Sequence, residues 1–184
     1  MAITPPSNRL WWKEPIQAIE LGWVIIAFLW GLFMFFFMIA WHFIGDQNLS
    51  NETYRIKPEV FEDKVIAFAD EFQKKDANGE LVEEEGVPVV APPEGGDVYM
   101  LARLWEFWPV LELKKGVPYR FHLSSTDWQH GFSLQPVNIN ISVHPGYEHV
   151  FTLTPTGSGD FGVVCNEYCG IGHHTMTGRI RVID

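Results

Sequence analysis

Positive charge is scarce in this chain: 13 Lys and Arg stand against 23 Asp and Glu among 184 residues, a formal charge of −10. Such a balance offers little to neutralise phosphates or release their counterions, which excludes nucleic acid as a partner. Cysteine is scarcer still, at 2 residues. Two thiols cannot staple a small secreted scaffold, so an apolar core must hold any folded domain. Internal repeats are absent too, and the length leaves room for one globular domain with an appendage.

Long apolar runs are missing with one exception. Leu21 to Ile44 is 24 residues without a formal charge, and only Gly22, Gly31 and His42 within it are not apolar. At about 1.5 Å per residue the run reaches roughly 36 Å, enough to cross a hydrocarbon core of about 30 Å with some tilt. It predicts one transmembrane helix over residues 21–44, behind a lead of residues 1–20. Trp11 and Trp12 on one flank and Trp41 near the other end suit the headgroup level. The competing reading is a cleaved secretory signal, whose apolar stretch would be only about 7 to 15 residues long. Arg9 and Lys13 precede the span and Arg55 and Lys57 follow it, so flanking charge does not orient it. His42 reads as interfacial, or as an imidazole facing a partner helix.

The acidity is concentrated in a connector. Residues 46–97 hold 14 acidic and 5 basic side chains, whereas residues 98–184 hold 7 and 6. Within residues 45–97, Pro58 opens a predicted short helix whose apolar positions Phe61, Val65, Phe68, Ala69 and Phe72 recur near a period of 3.6. Glu83, Glu84 and Glu85, followed by Pro88, Pro92, Pro93, Gly95 and Gly96, read as a solvated linker and a domain boundary.

Beyond Asp97 the period changes to two. Asn138 to Val143 alternates strictly, and His149–Thr154, Phe161–Cys165 and Gly178–Ile183 are short β-rich runs. Turn signals at Lys115–Pro118, His144–Gly146 and Pro155–Gly159 separate them. A single sheet would leave one apolar face wet, so residues 98–184 predict two packed antiparallel sheets with a Greek-key path.

The chemistry gathers in one loop. Cys165-Asn166-Glu167-Tyr168-Cys169-Gly170-Ile171-Gly172-His173-His174-Thr175-Met176 brings thiol, imidazole and thioether together between two predicted strands, and Asp127-Trp128-Gln129-His130 adds an upstream imidazole. Soft sulfur donors with imidazole favour copper. A mononuclear blue-copper site would leave one Cys superfluous. A tetrahedral zinc site would leave Met176 unused. A disulfide would make Gly170, His173 and Met176 coincidental at these offsets. Two coppers sharing both thiolates use every donor, with one His each and with Met176 and the Glu167 carbonyl oxygen completing the set.

Cys165-x3-Cys169-Gly170-x2-His173-x2-Met176, preceded by Asp127-x2-His130, closely resembles the binuclear copper domain of cytochrome c oxidase subunit II. The resemblance covers residues 98–184, and a single anchor ahead of them is similar to the shorter subunits of the B-type haem-copper oxidases. It implies an N-terminal transmembrane helix with a cupredoxin-like Greek-key sandwich on the extracytoplasmic, periplasmic side of a bacterial or archaeal plasma membrane. It further implies a chain that accepts electrons from a c-type cytochrome and passes them to haem in subunit I, where oxygen is reduced. The metal ligands it implies are His130, Cys165, Cys169, His173, Met176 and the backbone oxygen of Glu167. The Glu167 carboxylate is implied as a magnesium ligand at the subunit I contact, with a solvated or hydrogen-bonded carboxylate as the alternative. Asp127 reads as a second acceptor behind His130, or as a turn former.

Trp105, Glu106, Phe107 and Trp108 resemble the subunit II strand region where electrons enter, which implies electron input at Trp105 and Phe107, Trp105 first; alternation would put these two on one face, and sandwich core is the alternative. No bond-breaking residue is expected in this chain. His122, His144, His149 and His174 read as ordinary surface or satisfied imidazoles. The near-neutral charge of residues 98–184 implies a largely apolar docking patch. Two further functions compete: the copper subunit of a nitric oxide reductase of the same superfamily, and a membrane-tethered copper-binding or delivery protein.

Overall fold

The computed structural model describes residues 13, 15–45, 52–137 and 139–184. Arg9, Trp11 and Trp12, which the sequence sets beside the membrane span, lie outside the described residues. The chain divides into two compact units, residues 1–48 and residues 49–184.

The first unit carries helix α1, Ala18–Ile44, 27 residues and about 40 Å long at the helical rise. It starts three residues ahead of Leu21 because the Gln17 amide donates to the Glu20 carboxylate at 2.9 Å, which satisfies a donor that a helix start leaves orphaned. Trp30, Phe33, Phe37 and Trp41 recur every three or four residues, and their rings meet at 5.4, 5.9 and 5.7 Å along one face. None of its residues is buried. A helix that is apolar all round is suited to lipid or to another protein.

The second unit comprises β1 (Glu52–Arg55), α2 (Pro58–Phe72), β2 (Glu83–Glu84), β3 (Val87–Val90), β4 (Asp97–Arg103), β5 (Glu106–Trp108), β6 (Val110–Lys114), β7 (Tyr119–Ser125), β8 (His130–Gln135), β9 (Ile139–Val143), β10 (Tyr147–Leu153), β11 (Gly159–Cys165) and β12 (Thr177–Ile183). Neighbouring strands run β1-β10-β7-β4-β5-β12-β11-β8-β9, with β6 beside β12, β3 beside β6 and β2 beside β3. The two expected sheets are therefore one sheet curled over itself. Strand β5 pairs with β4 and also meets β12 at Glu106 and Thr177, so it joins the two layers. The chain crosses from β7 to β8, back to β10 and over again to β11, which gives the Greek-key path.

Aromatic rings fill the space between the layers. Phe121 stacks on Phe151 at 5.0 Å and Phe107 meets Phe132 edge-on at 5.8 Å. Each fully buried ring contributes roughly 1.5–3 kcal/mol. Cys165, Cys169 and Met176 belong to the same continuous buried cluster, so the loop bearing them rests on the core.

Much of the acidic connector is built into this unit. Strand β1 pairs with β10, and α2 buries Phe61, Val65, Phe68 and Ala69 while Phe72 packs at the margin. The stretch read as a solvated linker supplies β2 and β3. Val89 and Val90 are fully buried, and β3 lies parallel to β6 with Val89 opposite Val110. Pro and Gly mark the turns there, but two adjacent valines on a strand paired on both sides bury enough apolar surface to hold the segment down. Lys74, just past α2, reaches the buried Glu112 carboxylate of β6 at 2.6 Å.

Candidate metal centre

The loop 166–176 is closed at its base by a hairpin. Strands β11 and β12 pair antiparallel with Val164 opposite Thr177, and the Cys165 amide donates to the Met176 carbonyl at 3.2 Å. Inside, the chain turns twice: the His173 amide bonds Gly170 at 3.1 Å and the Thr175 amide bonds Gly172 at 3.0 Å. Gly170 has a φ of 122°, a region open to glycine and strained for other residues. His130 opens β8, whose Phe132 lies opposite Cys165 of β11, and this register carries the distant imidazole to the loop.

The donors then fall into two groups around two sulfurs. The Sγ atoms of Cys165 and Cys169 are 3.7 Å apart, and both cysteines are free thiols. Nδ1 of His130 is 4.0 Å from Cys165 Sγ, and the Glu167 carbonyl oxygen accepts from that thiol at 3.2 Å. Around Cys169, Sγ lies 3.6 Å from His173 Nδ1 and 3.7 Å from Met176 Sδ. His130, Cys165, Cys169 and Met176 are buried and His173 is half-buried. The ligand atoms of His130, Cys165 and Cys169 all lie within 4.8 Å of one another, a spacing that could hold a metal ion.

The surroundings fix these groups. Asp127 Oδ1 is 2.8 Å from Nε2 of His130, leaving Nδ1 facing the sulfurs, while Asp127 Oδ2 accepts the Leu104 amide at 2.7 Å. Burial opposes ionisation of Asp127, but the bonds from His130 and from the Leu104 and Trp128 amides hold its carboxyl below the ordinary range. Burial and the adjacent Cys165 push the Cys169 thiol up to about 11. Without a metal, that thiol keeps its proton at neutral pH.

Trp105 sits on this loop. Its indole lies over Gly170 and Gly172, and a methyl group added at Gly170 would come within 2.7 Å of the ring. It remains 37% exposed, whereas Phe107 is only 2% exposed and packs in the core. The pairing of Trp105 and Phe107 on one face is thus corrected: Trp105 belongs to the turn between β4 and β5, where alternation does not apply. Tyr168 and Ile171 of the loop and the neighbouring Trp128 are exposed, at 80%, 91% and 63%.

The remaining histidines lie in other surroundings. His174 is exposed. His122 is buried, stacked on Tyr99 at 4.5 Å, and bonded to Glu148 at 2.6 Å and to Asp97 at 3.3 Å. Burial, reinforced by His144, lowers the pKa of His149. The Glu167 carboxylate bonds to Gln129 and, at 3.1 Å, to Ser142. The sequence reading missed both partners, since a Ser on an alternating strand and a Gln in a turn carry no motif.

No family model matches the chain. It is 30% identical over 177 residues to cytochrome c oxidase subunit 2 of Thermus thermophilus, spanning 92% of this chain and 94% of the relative. A second Thermus thermophilus protein of that name is 36% identical over 91 residues, 49% of this chain and 67% of the other. Among solved structures, a chain from a heme-copper terminal oxidase dimer superposes with a TM-score of 0.56 at 22% identity, over 91% of this chain and 100% of its own, a likeness of fold. An N-terminal apolar helix followed by a curled β-sheet, a His/Cys/Cys/Met cluster and near full-length similarity converge: the chain belongs to the cytochrome c oxidase subunit 2 family and is a subunit of an oxidoreductase complex.

Proposed function

We propose that this chain is the electron-input subunit of a haem-copper terminal oxidase, taking electrons from a c-type cytochrome and handing them to haem in subunit I, where oxygen is reduced. The observation that supports it most is the pair of free thiols 3.7 Å apart, each with its own imidazole and one further donor. Thiolate, thioether and imidazole together fit copper. In this reading His130, Cys165, the Glu167 carbonyl, Cys169, His173 and Met176 would together hold the two coppers. When bound, the copper pair supplies a reversible one-electron couple.

The chain's own residues supply rigidity and dryness. Burial of both thiols and Met176 in the core excludes water, and the Asp127–His130 bond fixes one ring. Trp105 is the input residue in this reading, because it touches the loop and reaches solvent. Trp128, Tyr168 and Ile171 offer the donor an apolar docking surface, so its association rate should change little with added salt. Helix α1 would anchor the chain in a bacterial or archaeal plasma membrane beside subunit I, with the β unit extracytoplasmic. A magnesium ion at the subunit I contact would be held through the Glu167 carboxylate, whose Oε2 also takes the bonds from Gln129 and Ser142.

Metal analysis and paramagnetic resonance of the full-length, oxidised chain test the reading. Two copper equivalents with one unpaired electron shared by both nuclei are expected. One equivalent, or the signal of a lone copper, overturns it.

A further inference from the structure

The Glu167 residue is held from three directions. Beneath it lies Gly131 of β8: the Asn166 amide donates to the Gly131 carbonyl at 3.2 Å, and a methyl group on Gly131 would strike the Asn166 side chain and come within 2.8 Å of the Glu167 amide. Opposite Gly131 in the β8–β9 register stands Ser142, whose hydroxyl donates to Glu167 Oε2 at 3.1 Å. Gln129, one residue before His130, donates to the same carboxylate oxygen and to Ser142 Oγ at 3.1 Å. His144 Nε2 lies 3.2 Å from the Ser142 oxygen. With its proton on Nε2, His144 fills the hydroxyl's second acceptor site, so Ser142 gives one bond and accepts two, its full capacity.

We infer that Ser142 and Gln129 are positioning residues of the metal centre: by gripping the Glu167 carboxylate they fix the direction of the Glu167 carbonyl, the oxygen donor on the Cys165 side. The inference rests on the two-copper reading above and adds residues to it. Glu167 sits midway between the two cysteines, where its peptide could otherwise rotate. Its side chain, tied to β9 and to the turn before β8, prevents that rotation, and the bare backbone of Gly131 lets the loop approach closely enough for the bonds to form. A weak oxygen donor tunes a copper centre through its direction and distance, so a grip on the side chain is a grip on the metal.

The test uses the full-length chain loaded with copper, as wild type, Ser142→Ala, Ser142→Thr and the double variant Gln129→Leu/Ser142→Ala. Three quantities are read: the rate of copper loss to a chelator, the copper hyperfine pattern, and the thermal midpoint of the metal-free chain. Ser142→Ala and the double variant should lose copper at least about tenfold faster, in line with other residues that support metal ligands. Their hyperfine pattern should change while the metal-free midpoint stays put, and Ser142→Thr, which keeps the hydroxyl, should restore both copper readouts. Unchanged loss and hyperfine pattern in the double variant overturn the inference. So does faster loss that follows a fall in the metal-free midpoint and is not rescued by threonine. A wild-type chain that holds fewer than two coppers overturns the underlying reading instead, which separates the two failures.

Discussion

The two halves of the metal cluster are built differently. The Cys165 half is assembled across the fold: His130 comes from β8, Cys165 from the end of β11, and the imidazole is fully buried with its far nitrogen on Asp127. The Cys169 half is local, with Cys169, His173 and Met176 inside eight residues and a half-buried His173 whose ring faces Tyr168 at 5.7 Å. The first half is therefore fixed by the core, and the second by the turns of one loop. The difference teaches that ligands of the same type carry different structural burdens.

The strongest test of that comparison removes what the halves share. Cys165→Ser and Cys169→Ser should each abolish the two-copper signal in paramagnetic resonance. Survival of a shared signal in either variant would show that the halves do not depend on each other.

Copper affinity should next depend steeply on pH. The metal competes with protons for both thiols, and the metal-free Cys169 thiol is pushed up to about 11 by burial and by Cys165. Affinity should thus rise by roughly tenfold per pH unit for each proton displaced. Competition titrations between pH 6 and pH 8 read the slope. Metal-free stability should run the other way at high pH. Unfolded thiols ionise near their ordinary value of 9.0 while folded Cys169 stays protonated to about 11, so stability falls across that window.

Behind the ligands, Asp127→Ala should weaken copper binding about 10–100-fold by freeing the His130 ring, measured by chelator competition. The smallest effect separates the halves by stability alone. His130→Ala should destabilise the metal-free chain by about 1–3 kcal/mol, because it empties a fully buried position and removes one of the bonds to the part-buried Asp127 carboxylate. His173→Ala should stay within about 0.5 kcal/mol. Thermal melts of the two metal-free variants decide whether the core-built half bears the greater load.

The same contrast explains what could be read early. The Cys169 half is a short-range pattern, so Cys165-x3-Cys169-x3-His173-x2-Met176 was legible in the chain, as was the apolar run that became α1. Period-two alternation gave the strands, and the period of 3.6 gave the buried face of α2. Where pairing is long-range, sequence was silent or misleading. Residues 83–96 have the composition of a linker, yet β3 pairs with β6. Trp105 and Phe107 alternate on paper, yet a turn separates their environments.

Sequence by itself determined the elements and the donor types, because backbone periodicity and ligand chemistry are properties of neighbouring residues. Tertiary structure alone decided that β5 joins two layers into one curled sheet, and it fixed how His130, expected as a ligand with Asp127 behind it, reaches Cys165. It alone also decided that Ser142 and Gln129 close on Glu167. The meetings at Cys165 and Glu167 join residues 25 to 38 positions apart in the chain, and the strand register that brings them together is set by the packing of the whole core.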